Sequence, residues 1–128
     1  MSISYKTRRI KDPRKLDEPG KYYPVPAPKG KVTSQEVARE IAVRTSLSFT
    51  DVIASLDALM NVIPFFLSQG YAVDLGDFGI FRIFFSGKGS DKESEVTAAS
   101  IKSLRLVFRP GMELKNKIMN FEIVKKGQ

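Results

Sequence analysis

The middle of the sequence reads VDLGDFGIFRIFF at residues 73–85. Apolar and other residues alternate over residues 71–75 and 78–85, on the two sides of Gly76-Asp77, a pattern typical of two half-buried strands joined by a tight turn. The polar segment from Ser86 to Ser94 separates the second strand from another strand-like stretch at residues 96–108. We therefore predict an antiparallel hairpin that continues into a long strand pair with a polar tip.

Two helices are predicted ahead of this hairpin. Thr33 is suited to cap a helix start, and Glu36 follows at the spacing of a capping box. Ser48 gives a second capping signal, and Gly70 marks the end of the longer helix that follows it. A short third helix is predicted over residues 112–119.

The longer helix has a broad apolar stripe. At about 100° per residue its members fall within about 140° of the helix surface, and they are Val52, Ile53, Leu56, Leu59, Met60, Ile63, Phe66 and Leu67. A single small domain would struggle to cover such a stripe, so we expect a second subunit to do so. Pro64 removes a backbone hydrogen bond and predicts a kink.

The two ends of the chain give weaker signals. Five of the seven prolines lie between Lys11 and Gly30, so an irregular, extended segment is expected there. Residues 3–7 and 121–124 are each compatible with a short strand, and these two strands could pair.

Positive charge is concentrated near the start of the sequence. The whole chain has a net charge of +7, and residues 1–31 have nine basic against three acidic side chains, a net +6. The other 97 residues have twelve basic and eleven acidic side chains, a net +1. A basic segment of this kind favours contact with nucleic acid, although a solvated tail is the plainer alternative.

The sequence contains few of the residue types that catalysis commonly uses. The chain has no cysteine and no histidine, which removes disulfides, thiolate metal sites and every nucleophile paired with histidine. Asp77-Phe78-Gly79 and Gly87-Lys88-Gly89-Ser90 lack the surroundings that a kinase or a phosphate-binding loop needs. We expect no enzymatic activity, cofactor, metal, small-molecule substrate or membrane association, and a cytoplasmic location.

Two short motifs, VDLGDFGIF at residues 73–81 and Phe108-Arg109-Pro110-Gly111, flank the predicted strand pair. The first is similar to the hairpin, and the second to the motif that ends the β-arm, of the bacterial HU and integration host factor family of histone-like proteins, and the resemblance covers residues 32–120. The interval between the two motifs suits such an arm. We accordingly divide the chain into a basic, proline-rich extension (1–31), an HU-like domain (32–120) and a C-terminal extension (121–128).

The resemblance implies an α+β fold with two N-terminal helices, a three-stranded antiparallel sheet with a protruding β-arm, and a short C-terminal helix. It implies an intertwined homodimer of the nucleoid whose arms reach into the minor groove of double-stranded DNA and bend it. The dimer core would contain Leu56, Leu59, Met60, Ile63, Phe66, Phe78, Phe81 and Phe108.

Basic side chains on the arm and the N-terminal extension are the predicted contacts to DNA phosphates. The arm provides Arg82, Lys88, Lys92, Lys102, Arg105 and Arg109, and the extension provides Lys6, Arg8, Arg9, Lys11, Arg14 and Lys15. The arm tip has no proline and no large apolar residue from Gly87 to Ser94, so a sharp intercalative kink of the DNA is not expected. An HU-like dimer that has lost DNA binding and serves as a protein-interaction module is the alternative.

Overall fold

A computed structural model describes residues 2–127, and the chain divides into two compact units. The end unit comprises the chain up to residue 32 and from residue 117, and the central unit comprises residues 33–116. The elements in chain order are β1 (Ser2–Ile10), β2 (Lys21–Pro26), α1 (Ser34–Arg44), α2 (Phe49–Leu67), β3 (Val73–Asp74), β4 (Gly79–Gly87), β5 (Ile101–Pro110), α3 (Met112–Met119) and β6 (Glu122–Lys125).

Both predicted helix caps are present in the central unit. The Thr33 Oγ1 atom accepts a hydrogen bond from the Glu36 amide at 3.3 Å, and the Ser48 Oγ atom accepts one from the Asp51 amide at 3.1 Å. Each bond satisfies an amide that has no partner within its helix. The helices therefore begin where the sequence predicts, and α1 packs against α2.

The apolar stripe of α2 is only partly covered within one chain. Val52 is buried, but Met60 is 75% exposed and Phe66 is 41% exposed. The helix α2 is also long and apolar enough to cross a membrane. This is weak evidence for a membrane span, because core helices of soluble proteins meet the same criteria of length and composition. The helix continues through Pro64 to Leu67.

The central unit contains an antiparallel sheet in the order β3-β4-β5. Gly79 is required at the start of β4, since its φ is +146° and an added Cβ atom would lie 2.5 Å from the Arg109 carbonyl oxygen and 2.7 Å from the Phe108 ring. The hairpin predicted over residues 71–85 is thus confirmed, but its first strand comprises Val73–Asp74 and not the whole predicted range of residues 71–75.

The prediction that residues 96–100 belong to the returning strand is wrong. Thr97 and Ser100 form a reciprocal capping box, in which the Thr97 amide donates to Ser100 Oγ at 3.2 Å, and residues 98–100 form a 3₁₀ turn. These local side-chain bonds compete with the strand ladder. The strand β5 consequently begins at Ile101.

The end unit contains a second sheet in the order β2-β1-β6. The pairing suggested between the two chain ends is confirmed, because β6 runs parallel to β1 and Ile3 lies beside Ile123. The prediction of an irregular segment over residues 11–30 is wrong for β2. Pro24 and Pro26 are two residues apart on an edge strand, so the amide hydrogens that they lack would both lie on the same side of β2. The amide of the next residue, Ala27, donates a hydrogen bond to the Ser4 carbonyl at 2.9 Å.

Candidate nucleic-acid interface

The β4–β5 ribbon has two chemically different faces. Residues directly opposite each other in an antiparallel pair share a face, and successive residues alternate between the faces. The pairs along the ribbon are Ile80 with Arg109, Phe81 with Phe108, Arg82 with Val107, Ile83 with Leu106, Phe84 with Arg105, Phe85 with Leu104 and Ser86 with Ser103.

One side of the ribbon, which we call the apolar face, consists of Phe81, Ile83, Phe85, Leu104, Leu106 and Phe108. The Phe81 and Phe108 rings pack with centroids 4.8 Å apart. Farther along, Leu104 is 71% exposed. Part of this face lines a groove of about 840 Å³, together with Pro64 and Leu67 of α2 and with Arg82 and Phe84 of β4. The groove walls are thus largely apolar and open to solvent.

The other side, which we call the arginine face, carries three arginines: Arg82, Arg105 and Arg109. Arg82 is the diagonal neighbour of both Arg105 and Arg109. The Cα atoms of diagonal neighbours in an antiparallel pair are about 7–8 Å apart. The paired residues of this face include no carboxylate. Within residues 2–127, none of the three arginines forms a salt bridge. Their positive charges are therefore available to an external anion.

The remaining predicted arm contacts are placed differently. The strand register shifts between Ser86 and Gly87, which leaves Lys102 without a cross-strand partner at this bulge. Lys88 and Lys92 are exposed in the tip, where Asp91, Glu93 and Glu95 offset their charge. The structure therefore groups three of the six predicted arm cations on one face of the ribbon.

The predicted contacts of the N-terminal extension lie in and beside a folded sheet. Alternation along β1 puts Lys6 and Arg8 on one face and Arg9 on the other, where the Arg9 guanidinium lies 5.1 Å from the centre of the Tyr22 ring. The other three, Lys11, Arg14 and Lys15, lie in the connection from β1 to β2 and are exposed. Their charges are carried by an ordered unit.

The residues predicted for the dimer core are largely accessible in one chain. Leu56, Ile63 and Phe81 are half-buried, whereas Leu59, Met60, Phe66, Phe78 and Phe108 are exposed. Phe78 and Phe108 contact each other, with ring centroids 5.7 Å apart.

Sequence reasoning missed the separation of the arginine face. Alternation along β4 is enough to place Arg82 and Phe84 on one side of the ribbon. That Arg105 and Arg109 lie on the same side depends on the register in which β5 pairs with β4. Among the described residues, no group of three or more acidic side chains is arranged to hold a metal ion.

Comparison with known proteins supports this reading of the fold. A family model described as an HU domain fused to wHTH, Ig or glycine-rich motif (HU-HIG) matches residues 1–125. A crystal structure of a proposed bacterial DNA-binding protein from Bacteroides vulgatus ATCC 8482 is similar in fold, with a TM-score of 0.63 and 13% sequence identity. The match covers 84% of this chain but 44% of that one. No curated protein matches the sequence.

Proposed function

The chain belongs to the HU-HIG family, and from this premise we propose that it is a non-enzymatic, sequence-neutral DNA-binding protein of the bacterial nucleoid. It acts in the cytoplasm as a homodimer, binds double-stranded DNA through arginine and lysine contacts to phosphates, and bends the duplex modestly. No cofactor takes part.

The arginine face is the observation that carries this proposal. Three guanidinium groups share one side of the ribbon without a carboxylate among the paired residues. Guanidinium groups suit phosphate recognition because they remain charged and donate hydrogen bonds in a planar fork. Phosphate contacts supply most of the affinity in sequence-independent binding.

Apolar surface supports the homodimer. Among residues 2–127, the apolar side chains that are buried in one chain are Ala27, Ala38 and Val52, although a chain of this length normally buries a substantial core. The stripe on α2 and the apolar face of the ribbon are both partly exposed in the central unit. A second copy would remove both from water, and the hydrophobic effect favours that association.

The end unit would add a second cationic surface. Lys6 and Arg8 share one face of its sheet with Lys21, and this arrangement can hold phosphates without a flexible tail. Deleting residues 1–31 would also remove the partner strand of β6. Charge substitution is therefore the cleaner way to test this surface.

The first test is fluorescence anisotropy of a labelled random duplex titrated with the full chain at several salt concentrations. We expect binding that weakens with salt by a log–log slope of about −0.9 per neutralised phosphate. The triple substitution Lys6→Gln, Arg8→Gln, Lys21→Gln should lower that slope if the end unit contributes. Sedimentation equilibrium of the wild-type protein without DNA should give twice the chain mass of 14.3 kDa.

A protein-interaction module is the second candidate. The near-neutral charge of residues 32–128 and the acidic groups in the ribbon tip favour it. The same titration separates the two functions, because an interaction module would show no salt-sensitive binding to the duplex even at low salt.

A further inference from the structure

Phe84 is the large aromatic side chain of the arginine face. It lies directly opposite Arg105, and Arg82 and Ser86 are its neighbours on the same side of β4. In one chain Phe84 is 49% exposed. An exposed aromatic ring thus neighbours two arginines on the same face of the ribbon.

Phe84 and its sequence neighbour Phe85 both line the groove beside α2, but their cross-strand partners differ. Phe85 belongs to the apolar face, opposite Leu104, and a second copy of the chain can cover it. Burying Phe84 against protein in the same way would also bring Arg82 and Arg105 out of water. Burial of unpaired charges is costly, so the arginine face is a poor protein interface and a good one for a polyanion.

An apolar side chain on a phosphate-binding surface has a physical use. Such side chains insert between base steps from the minor groove, unstack them partly and bend the duplex, while nearby basic residues hold the backbone. Two residues along a strand span about 6.6 Å, close to the minor-groove width of about 6 Å. With the ring of Phe84 at the base edges, Arg82 would thus lie beyond the half-width of the groove, within reach of the phosphate backbone.

We propose that Phe84 is an apolar wedge, and that the ribbon bends DNA from its arginine face and not from its tip. This inference rests on the proposed function. It assigns the bending step to a residue outside the tip, because the tip itself, residues 87–94, has no large apolar side chain.

The test compares Phe84→Ser with wild type on a short duplex carrying a fluorescent dye at each end and 2-aminopurine at internal positions. We expect Phe84→Ser to lose most of the bend-dependent energy transfer and of the 2-aminopurine signal from unstacking. Affinity should fall about tenfold for each wedge, the order of one base–aromatic contact, and so about a hundredfold for the homodimer, with the salt slope unchanged because the arginines remain.

Two further variants act as controls. Phe84→Leu keeps an apolar wedge and should restore most of the bend, whereas Ser86→Ala, at the next position of the same face, should behave as wild type. Unaltered bending by Phe84→Ser, or a change in its oligomeric state by sedimentation, would overturn the wedge while leaving DNA binding intact. Absence of salt-dependent binding by the wild-type protein would overturn the proposed function, and the wedge with it.

Discussion

Removal of the arginine face is the most direct perturbation of the proposed interface. The variant Arg82→Gln, Arg105→Gln, Arg109→Gln replaces three charges that share one side of the ribbon and leaves the apolar face untouched. Glutamine keeps a similar length and polarity. Because these arginines form no salt bridge within residues 2–127, their loss should leave the fold of the chain unchanged.

The size of the effect follows from the number of phosphates released. Each neutralised phosphate contributes about 0.9 to the slope of log K against log salt, so the variant should lose about 2.7 per chain and about 5.4 in a dimer. Between about 50 and 200 mM salt, a slope difference of about 5.4 changes the relative affinity about a thousandfold. Wild type and variant should therefore differ most at low salt, where the phosphate contacts contribute most.

The assay is anisotropy with the random duplex over this salt range. A matched control, Arg39→Gln, Arg44→Gln, Lys115→Gln, removes the same formal charge from α1 and α3. There Arg44 is bonded to Glu40 at 2.9 Å and Arg39 lies over the Phe49 ring. Equal slopes for the two triple variants would show that net charge, not the arginine face, governs binding, and would refute the reasoning.

Three other variants test the fold and the association. Gly79→Ala should lower the free energy of unfolding in urea by about 2 kcal/mol or more, because φ of Gly79 is +146° and a Cβ atom would overlap the Arg109 carbonyl. The control Gly89→Ala should change this free energy little, since the space around Gly89 is open. Ser48→Ala removes the cap of α2 and should cost about 1 kcal/mol, seen as a lower midpoint in thermal unfolding followed by circular dichroism. Leu104→Glu puts a charge on the apolar face and should weaken self-association at least about tenfold by sedimentation equilibrium; unchanged association would place the dimer contact elsewhere.

Local interactions account for what the sequence predicted correctly. The side chains of Thr33 and Ser48 bond to amides three residues away, so these helix starts depend on nothing distant. Gly79 and its alternating neighbours likewise encode a hairpin whose strands are adjacent in the chain. The concentration of charge in the first 31 residues is a property of composition and required no structure.

Long-range register accounts for what the sequence left open. Whether Arg82 lies beside Arg105 or on the opposite face is decided by the pairing of β4 with β5, because a shift by one residue moves every side chain of a strand to the other face. The same holds for the proline-rich segment, where β2 becomes a strand because β1 offers it a free edge.

By itself, then, the sequence determined the helix starts, the hairpin and the uneven distribution of charge, since these depend on neighbours within a few residues. Only the tertiary structure decided that the two chain ends form one sheet, that three arginines share a face, and that Phe84 lies among them. Those outcomes depend on hydrogen-bonded strands from distant parts of the chain. The energy of such pairing is shared among many residues, and no short motif contains it.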